Sequence, residues 1–403
     1  MQNELFSQLQ PRPDDPILGL NEVFQKDERP EKVNLTVGAG AYLTDAGVMP
    51  LLSTVEEATK RVLARREPHA YIPMSGLPAY NEGVRRLLFG SERAPLLSET
   101  AATVQTIGGT GALYLAALFA KNVLGVKLVV VSDPTWGNHI AIFKLAGLEV
   151  ATYPYYNRTK GGLRFDGMRS ALSSLPANTM VLIHACCHNP TGVDLPKEAW
   201  SEVVKIVKER NLVPLLDIAY QGLGDGLEED GYAPRLFADE GVATLVTASS
   251  SKNFALYGQR AGALHVLTRS NEEKRTVESI LKSLVRSTYS NPPKFAGSVV
   301  AEVLADPELE ARWRLEVDEM RERMVLMRRL FAEAGERHGV DLSFVVGQKG
   351  MFTFTGFTKE MMQELRDKYA VYGVANGRIC VAGLNHGNVE YAAEAFAKVL
   401  AGR

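Results

Sequence analysis

From about residue 105 onward, short apolar runs alternate with longer stretches whose apolar positions recur every three or four residues. Strand candidates are 128–131, 148–153, 180–185, 213–218, 244–248 and 262–267. Helical segments lie between several of them, at 111–123, 136–146 and 198–209. The strand runs are rich in Val, Ile and Leu and do not alternate with polar residues, the pattern of strands covered on both faces. Interleaved with helices, they predict an α/β fold built on a mostly parallel, doubly wound sheet.

Beyond residue 267 the pattern turns helical. Trp313, Val317, Met320, Met324, Met327 and Phe331 recur at steps of three or four within 307–335, with Arg and Glu between them. This predicts one long helix with a core-facing stripe, able to bridge two domains. Short strands at 343–346, 352–355 and 379–382 with two helices predict a smaller α+β domain at the C-terminus. At the other end, residues 1–17 are polar and carry Pro11, Pro13 and Pro16, which reads as an extended arm. Such an arm is loose in a monomer and a clasp in a dimer. Gly38, Gly40 and Gly47 mark a flexible passage before a helix that starts near Ser53 or Thr54.

Bulk properties narrow the field. The chain has 403 residues, is 46% hydrophobic and 23% charged, and carries a net charge of -2. A balance of that kind suits a soluble globular protein and offers no basic field for nucleic acid or an anionic membrane. Cys186, Cys187 and Cys380 are too few for a disulfide framework, which points to a reducing compartment. No run of eighteen apolar residues is present, and residues 1–10 lack the layout of a secretory signal. The expected location is therefore the cytoplasm, or the mitochondrial matrix if a transit peptide precedes the sequence.

Chemistry concentrates at strand ends. Ser249-Ser250-Ser251-Lys252-Asn253-Phe254 follows a strand run, with Arg260 a short loop later. A lysine so placed can form a Schiff base with an aldehyde cofactor whose phosphate the serines and Arg260 hold; the competing reading is a surface lysine. Gly108-Gly109-Thr110-Gly111-Ala112-Leu113 opens a helix, where exposed N–H groups suit a phosphate. It is a poor dinucleotide fingerprint, because Tyr114 stands where the third glycine belongs. Asp217 and Tyr220 end another strand, at the carboxyl edge where open α/β sheets bind ligands. Trp136 follows Asp133-Pro134-Thr135 at a further strand end and can stack on a flat ring. Asn189-Pro190-Thr191-Gly192 is a rigid turn that fixes an amide at the sheet edge. His184, Cys186, Cys187 and His188 look like metal ligands, but neighbouring strand residues point to opposite faces, so no metal is expected there. His184 is either a packed histidine or a partner of Asp217. Arg286 and Arg378 can each form a two-point pair with a carboxylate.

Five runs carry a resemblance: Cys186-Cys187-His188-Asn189-Pro190-Thr191-Gly192, Asp217-x-Ala219-Tyr220-Gln221-Gly222, Ser249-x-x-Lys252-Asn253-Phe254-x-Leu256-Tyr257, Tyr289-Ser290-Asn291-Pro292-Pro293 and Gly377-Arg378-x-x-Val381-Ala382-Gly383. In this order the chain resembles the class I pyridoxal-phosphate aminotransferases of fold type I, in the aspartate and aromatic amino acid subgroup. The resemblance covers nearly the whole sequence. It implies a large domain, 50–319, with a seven-stranded sheet between helices, a small domain from 17–49 and 320–403, and a dimer-clasping arm at 1–16. It implies Lys252 as the Schiff-base lysine and proton-transfer base, and Asp217, supported by His184, as partner of the pyridinium. Tyr220 and Asn189 match donors to the cofactor phenolate, and Trp136 matches the stacking ring. Gly109, Thr110, Ser249, Ser251 and Arg260 match the phosphate cup. Arg378 matches the clamp on the substrate α-carboxylate, with Gly40, Trp136 and Asn189 also beside the substrate. Tyr71 and Arg286 match residues lent by a neighbouring subunit, so the resemblance implies a homodimer with shared active sites. Pro134 and Pro190 align with cis positions.

The pocket rim departs from the aspartate-specific pattern. Leu43, Met49 and Ala70 are less polar than the matching residues, whereas Thr110 and Asn291 keep the aspartate-like form. The segment 36–42 is two residues longer than usual. These features predict transamination of aspartate and of aromatic amino acids with 2-oxoglutarate. A strictly aspartate-specific enzyme is the nearest alternative; a nicotinamide-dependent dehydrogenase and a non-catalytic binding protein are remote ones.

Overall fold

The computed structural model describes residues 6–7, 9–11, 16–37, 40–158 and 161–402. Most of the expected arm at 1–16, together with Gly38 of the longer 36–42 segment, lies outside the described residues. Among the described residues, eleven strands form three sheets. β1 (Val33–Asn34) pairs in parallel with β10 (Val371–Tyr372), and β9 (Phe352–Phe354) pairs antiparallel with β11 (Arg378–Cys380). The large sheet contains β2 (Ala101–Ile107), β3 (Leu128–Asp133), β4 (Glu149–Pro154), β5 (Met180–His184), β6 (Val213–Ile218), β7 (Thr244–Ser249) and β8 (Ala261–Leu267), in the order β2-β8-β7-β6-β5-β3-β4. All its pairings are parallel except those of β8, which runs against both neighbours.

Both faces of this sheet are covered, which is why its strands read as unbroken apolar runs. One face packs Val104, Val129, Leu182 and Leu215 against helices Gly108–Asn122, Gly137–Leu145 and Asn271–Thr288. The other face packs Val181, Ile183, Leu216 and Val246 into a core that also holds Tyr80, Trp200, Phe237 and Trp313.

The expected long helix is Pro307–Arg337. Asp306 caps it by accepting from the N–H groups of Glu308 and Leu309, and Pro307 supplies the preset first turn. Trp313, Val317, Met320, Met324, Met327 and Phe331 are all buried. The helix packs on Lys294–Ala305 and Ser53–Ala64 on one side and on Val389–Ala401 on the other.

Two expectations near the C-terminus need correction. Residues 343–346 form no strand; Ser343–Val345 is a 3-10 turn, held open at its start by the Asp341 carboxylate on the Ser343 N–H. The strand expected at 379–382 is shifted to Arg378–Cys380 and ends in a turn at Val381–Gly383. There the backbone changes partners: Cys380 N–H donates to the Leu35 carbonyl and Val381 N–H to the Met351 carbonyl. The Asp133–Pro134 and Asn189–Pro190 bonds are cis, as the alignment of these prolines implied.

Candidate active site

Five strand ends converge on one cavity of about 150 Å³. Gly109, Thr110 and Leu113 reach it from the helix after β2, and Trp136 from the turn after β3. His184 ends β5 and Asn189 follows it, Asp217 lies at the end of β6 with Ala219 and Tyr220 just beyond, and Ser249 ends β7 with Ser251 and Lys252 after it. Arg260, just before β8, closes one end.

Lys252 is held from below by the long helix. Phe254 stacks on Trp313 with ring centroids 4.3 Å apart and planes 11° apart, and the Trp313 indole N–H donates to the Asn253 carbonyl at 2.7 Å. The Lys252 ammonium lies 4.8 Å from the centre of the Tyr220 ring. Burial lowers its pKa to about 8; the Asp217 carboxylate opposes that drop and the Arg260 charge adds to it. A substantial fraction of this amine is therefore neutral near physiological pH.

Asp217 is buried and accepts from Thr247 Oγ1 at 2.7 Å and from His139 Nε2 at 3.2 Å. Burial alone would raise its pKa. The His139 hydrogen bond, the His139 and His184 rings and the Thr247 hydroxyl outweigh that and lower it. His184, the histidine expected to support Asp217, lines the cavity and helps lower the Asp217 pKa, but the hydrogen bond to the carboxylate comes from His139. Strand register puts His184 beside Asp217, yet neither ring nitrogen of His184 finds a hydrogen-bond partner among the described residues. Burial pushes His184 down to about 3, with the neighbouring His139 adding to the drop, so it stays neutral. The working partner, His139, comes from helix Gly137–Leu145 and is oriented through Nδ1 by Thr135 Oγ1 at 2.9 Å. Sequence reasoning passed over His139; its signal was a lone histidine three residues after Trp136 in an apolar helix.

The other end of the cavity suits an anion. The N-terminus of helix Gly108–Asn122 points into it beside the Ser249 and Ser251 hydroxyls and the Arg260 guanidinium. Gly108 sits at φ +64°, where a side chain is strained, and a Cβ there would lie 2.5 Å from a terminal nitrogen of Arg260 and push the guanidinium aside. Arg260 itself adopts the left-handed region at φ +59° and donates to the Tyr257 carbonyl at 2.9 Å.

Asn189 and Arg378 meet above the cavity, where Arg378 Nη1 donates to Asn189 Oδ1 at 3.3 Å. Arg378 is only 4% exposed and lies 4.4 Å over the Phe352 ring. That ring also fills the space a side chain at Gly40 would take. Tyr71, 93% exposed, and Arg286, exposed and bonded to Ser290 Oγ, do not line this cavity. Among the described residues, two groups bring possible metal donors within 4.8 Å: His139, His184 and Asp217, and Cys186, Cys187 and Asp230. The strand ends at His184 and Cys187 has φ +51°, so the alternation that separates neighbouring side chains no longer applies to the two thiols. The hydrogen bond with Cys187 and then burial raise the Cys186 thiol, burial raises Cys187, and Asp230 is engaged by the N–H groups of Gly222, Gly224 and Asp225.

Lys252, Asp217 and the Arg260–Ser249–Ser251–Thr110 cluster thus line one cavity at the strand ends. The family profile "Aminotransferase class I and II" matches residues 30–396. The chain belongs to the class I and II aminotransferases. It is 46% identical over 398 residues to a Pseudomonas aeruginosa protein named aspartate aminotransferase, covering 98% of this chain and 100% of that one. It is 45% identical to the Escherichia coli aromatic-amino-acid aminotransferase, again over 98% and 100% of the two chains. A Burkholderia pseudomallei aromatic-amino-acid aminotransferase, solved with pyridoxal phosphate covalently bound, superposes with a TM-score of 0.95 at 46% identity, covering 98% and 99%. Membership of this family of aminotransferases sets aside the dehydrogenase reading and makes small amino and oxo acids the natural substrates. Among the described residues, no helix is long and apolar enough to cross a membrane.

Proposed function

We propose that this aminotransferase uses pyridoxal 5'-phosphate to exchange the amino group of L-aspartate and of aromatic L-amino acids with 2-oxoglutarate, in two half-reactions at one site. One observation carries the reading: Lys252 stands in a single cavity with Asp217 to one side and the Arg260–Ser249–Ser251–Thr110 anion cup to the other. That donor set fits a flat, anionic aldehyde. When bound, the cofactor supplies a carbonyl for amine exchange and a ring that withdraws negative charge from the substrate Cα.

The chain's residues then divide the work. Gly109, Thr110, Ser249, Ser251 and Arg260 hold the phosphate. Asp217, kept ionised by His139, would hold a proton on the ring nitrogen of the bound cofactor, and His184 packs beside it as a neutral ring. Trp136 covers the ring face. Tyr220 and Asn189 donate toward the ring oxygen; burial raises the Tyr220 phenol well above its ordinary range, so it stays a donor. Lys252 Nζ, neutral in part at working pH, would take the proton from the substrate Cα and hold it for return within the same site. Arg378 clamps the substrate α-carboxylate, with Gly40, Trp136 and Asn189 bounding the space beside it.

The exposure of Tyr71 and Arg286 is what residues lent to a second copy require. We infer a homodimer in which Tyr71 reaches the partner's phosphate and Arg286 the distal carboxylate of the partner's substrate. The proposed division is 17–49 with 320–403 as the small domain and 50–319 as the large one, with the arm at 1–16 as a dimer clasp. The proposed location is the cytoplasm. The aromatic side of the specificity rests on relatives of both names at similar identity, and on Leu43, Met49 and Ala70 at the rim.

The test is direct. Purified protein should absorb in the visible and change spectrum on addition of an amino donor. Lys252→Ala should lose both that response and turnover; full activity in this variant would end the proposal. Comparing kcat/KM for aspartate, tyrosine, phenylalanine and kynurenine decides specificity, and aromatic values orders of magnitude below aspartate would leave the strictly aspartate-specific reading.

A further inference from the structure

Arg328, on the long helix, is 2% exposed, and among the described residues no carboxylate lies within ion-pair distance of it. Carbonyls and one hydroxyl satisfy it instead. Nη1 donates to the Val345 carbonyl at 3.1 Å and to Thr353 Oγ1 at 2.6 Å. Nη2 donates to the carbonyls of Gly350 and Phe352 at 2.8 Å each and, more weakly, to Lys349 at 3.4 Å. Burying a cation without a counter-charge is costly, so the arrangement holds only while its fork stays filled. Its planar fork matches one curvature of the segment 345–353.

That segment is wedged between the two walls of the substrate end. Lys349 N–H donates to the Gly192 carbonyl at 2.7 Å, and Gly350 packs so closely on Cys187 that a Cβ would sit 2.5 Å from the cysteine Cβ. The Val381 N–H, in the turn that directly follows the strand carrying Arg378, donates to the Met351 carbonyl at 2.8 Å. Next comes Phe352, with Arg378 4.4 Å above its ring and Tyr220 edge-on at 5.9 Å. A guanidinium over an aromatic face is aimed as well as attracted.

We propose that Arg328 is a positioning residue for the substrate-carboxylate end of the site, fixing Phe352 and through it the guanidinium of Arg378. The proposal rests on the reading of Arg378 as the carboxylate clamp. Arg328→Lys keeps the charge and loses the fork. It should raise KM for aspartate and for 2-oxoglutarate about tenfold while kcat changes by less than about threefold, the signature of lost binding rather than lost chemistry. The pH titration of the holoenzyme's visible band, which reports the Lys252 end, should not move. Because both residues act through one ring, Arg328→Lys combined with Phe352→Leu should raise KM by less than the product of the single effects. Unchanged KM in folded Arg328→Lys, multiplicative effects in the double variant, or a moved titration each overturn the proposal. If Arg328→Lys does not fold, Thr353→Val removes one acceptor of the same fork and should raise both KM values about threefold; unchanged values overturn it equally. Arg378→Lys is the control: if it raises KM while Arg328→Lys does not, the positioning role alone fails; if it too leaves KM unchanged, the clamp reading fails with it.

Discussion

The indole N–H of Trp313 reaches the Asn253 carbonyl, the residue after Lys252, at 2.7 Å. The long helix therefore holds the reactive loop by its backbone, while the stack on Phe254 fixes the loop's tilt. Trp313→Phe keeps an aromatic surface and strands a buried carbonyl, and should cost about 1–3 kcal/mol in urea unfolding. Trp313→Ala should cost about 3–5 kcal/mol and lower kcat as well.

His139→Phe removes the hydrogen bond that opposes burial at Asp217. The Asp217 pKa should rise, so the acid limb of kcat/KM should move to higher pH. A loss of about 1–3 kcal/mol of charge stabilisation corresponds to roughly 5- to 150-fold in kcat/KM, read from steady-state rates against pH.

Gly108→Ala places a methyl against the Arg260 guanidinium in a backbone region that disfavours side chains. The penalty of about 1–2 kcal/mol predicts roughly tenfold weaker pyridoxal-phosphate binding, measured by titrating the cofactor-free protein.

His184 should make the protein acid-sensitive. Its folded pKa is about 3 against 6.5 for the free side chain. Between those values the unfolded chain binds the extra proton, so stability falls as pH falls from 6.5 toward 3. Among the described residues neither ring nitrogen has a hydrogen-bond partner, so His184→Leu sacrifices no bond seen there. Unfolding of the cofactor-free protein at pH 6.5 and pH 5 should show wild type losing about 2 kcal/mol more than the variant across that interval.

Arg286→Leu should separate the two substrate classes. Losing the partner of a distal carboxylate costs about 2–5 kcal/mol, so kcat/KM for aspartate should fall roughly 30- to 1000-fold or more. For phenylalanine, which has no such carboxylate, the change should stay below about tenfold.

Most of the large sheet was legible along the chain. Residues 213–218 form β6, and the other expected strands differ from those observed by one or two residues at their ends, because strands buried on both faces announce themselves by composition alone. The small sheets were harder. At 343–346 the apolar residues suggested a strand, but the Asp341 carboxylate on Ser343 and the Arg328 fork on Val345 favour a turn.

The sequence by itself determined the fold class, the family and the place of Lys252 just past a strand end, because each rests on contiguous runs: a lysine after a strand, glycines before a helix, an Asn-Pro turn. Tertiary structure alone decided which histidine serves Asp217. His139 lies 78 residues away along the chain and arrives on a helix packed over the sheet, whereas His184, its neighbour in register, stays unbonded. It also turned Arg328 from one more charge on an amphipathic helix into a buried fork behind Phe352. Hydrogen bonds depend on direction as well as distance, and the packing of separate elements sets direction where no local pattern records it.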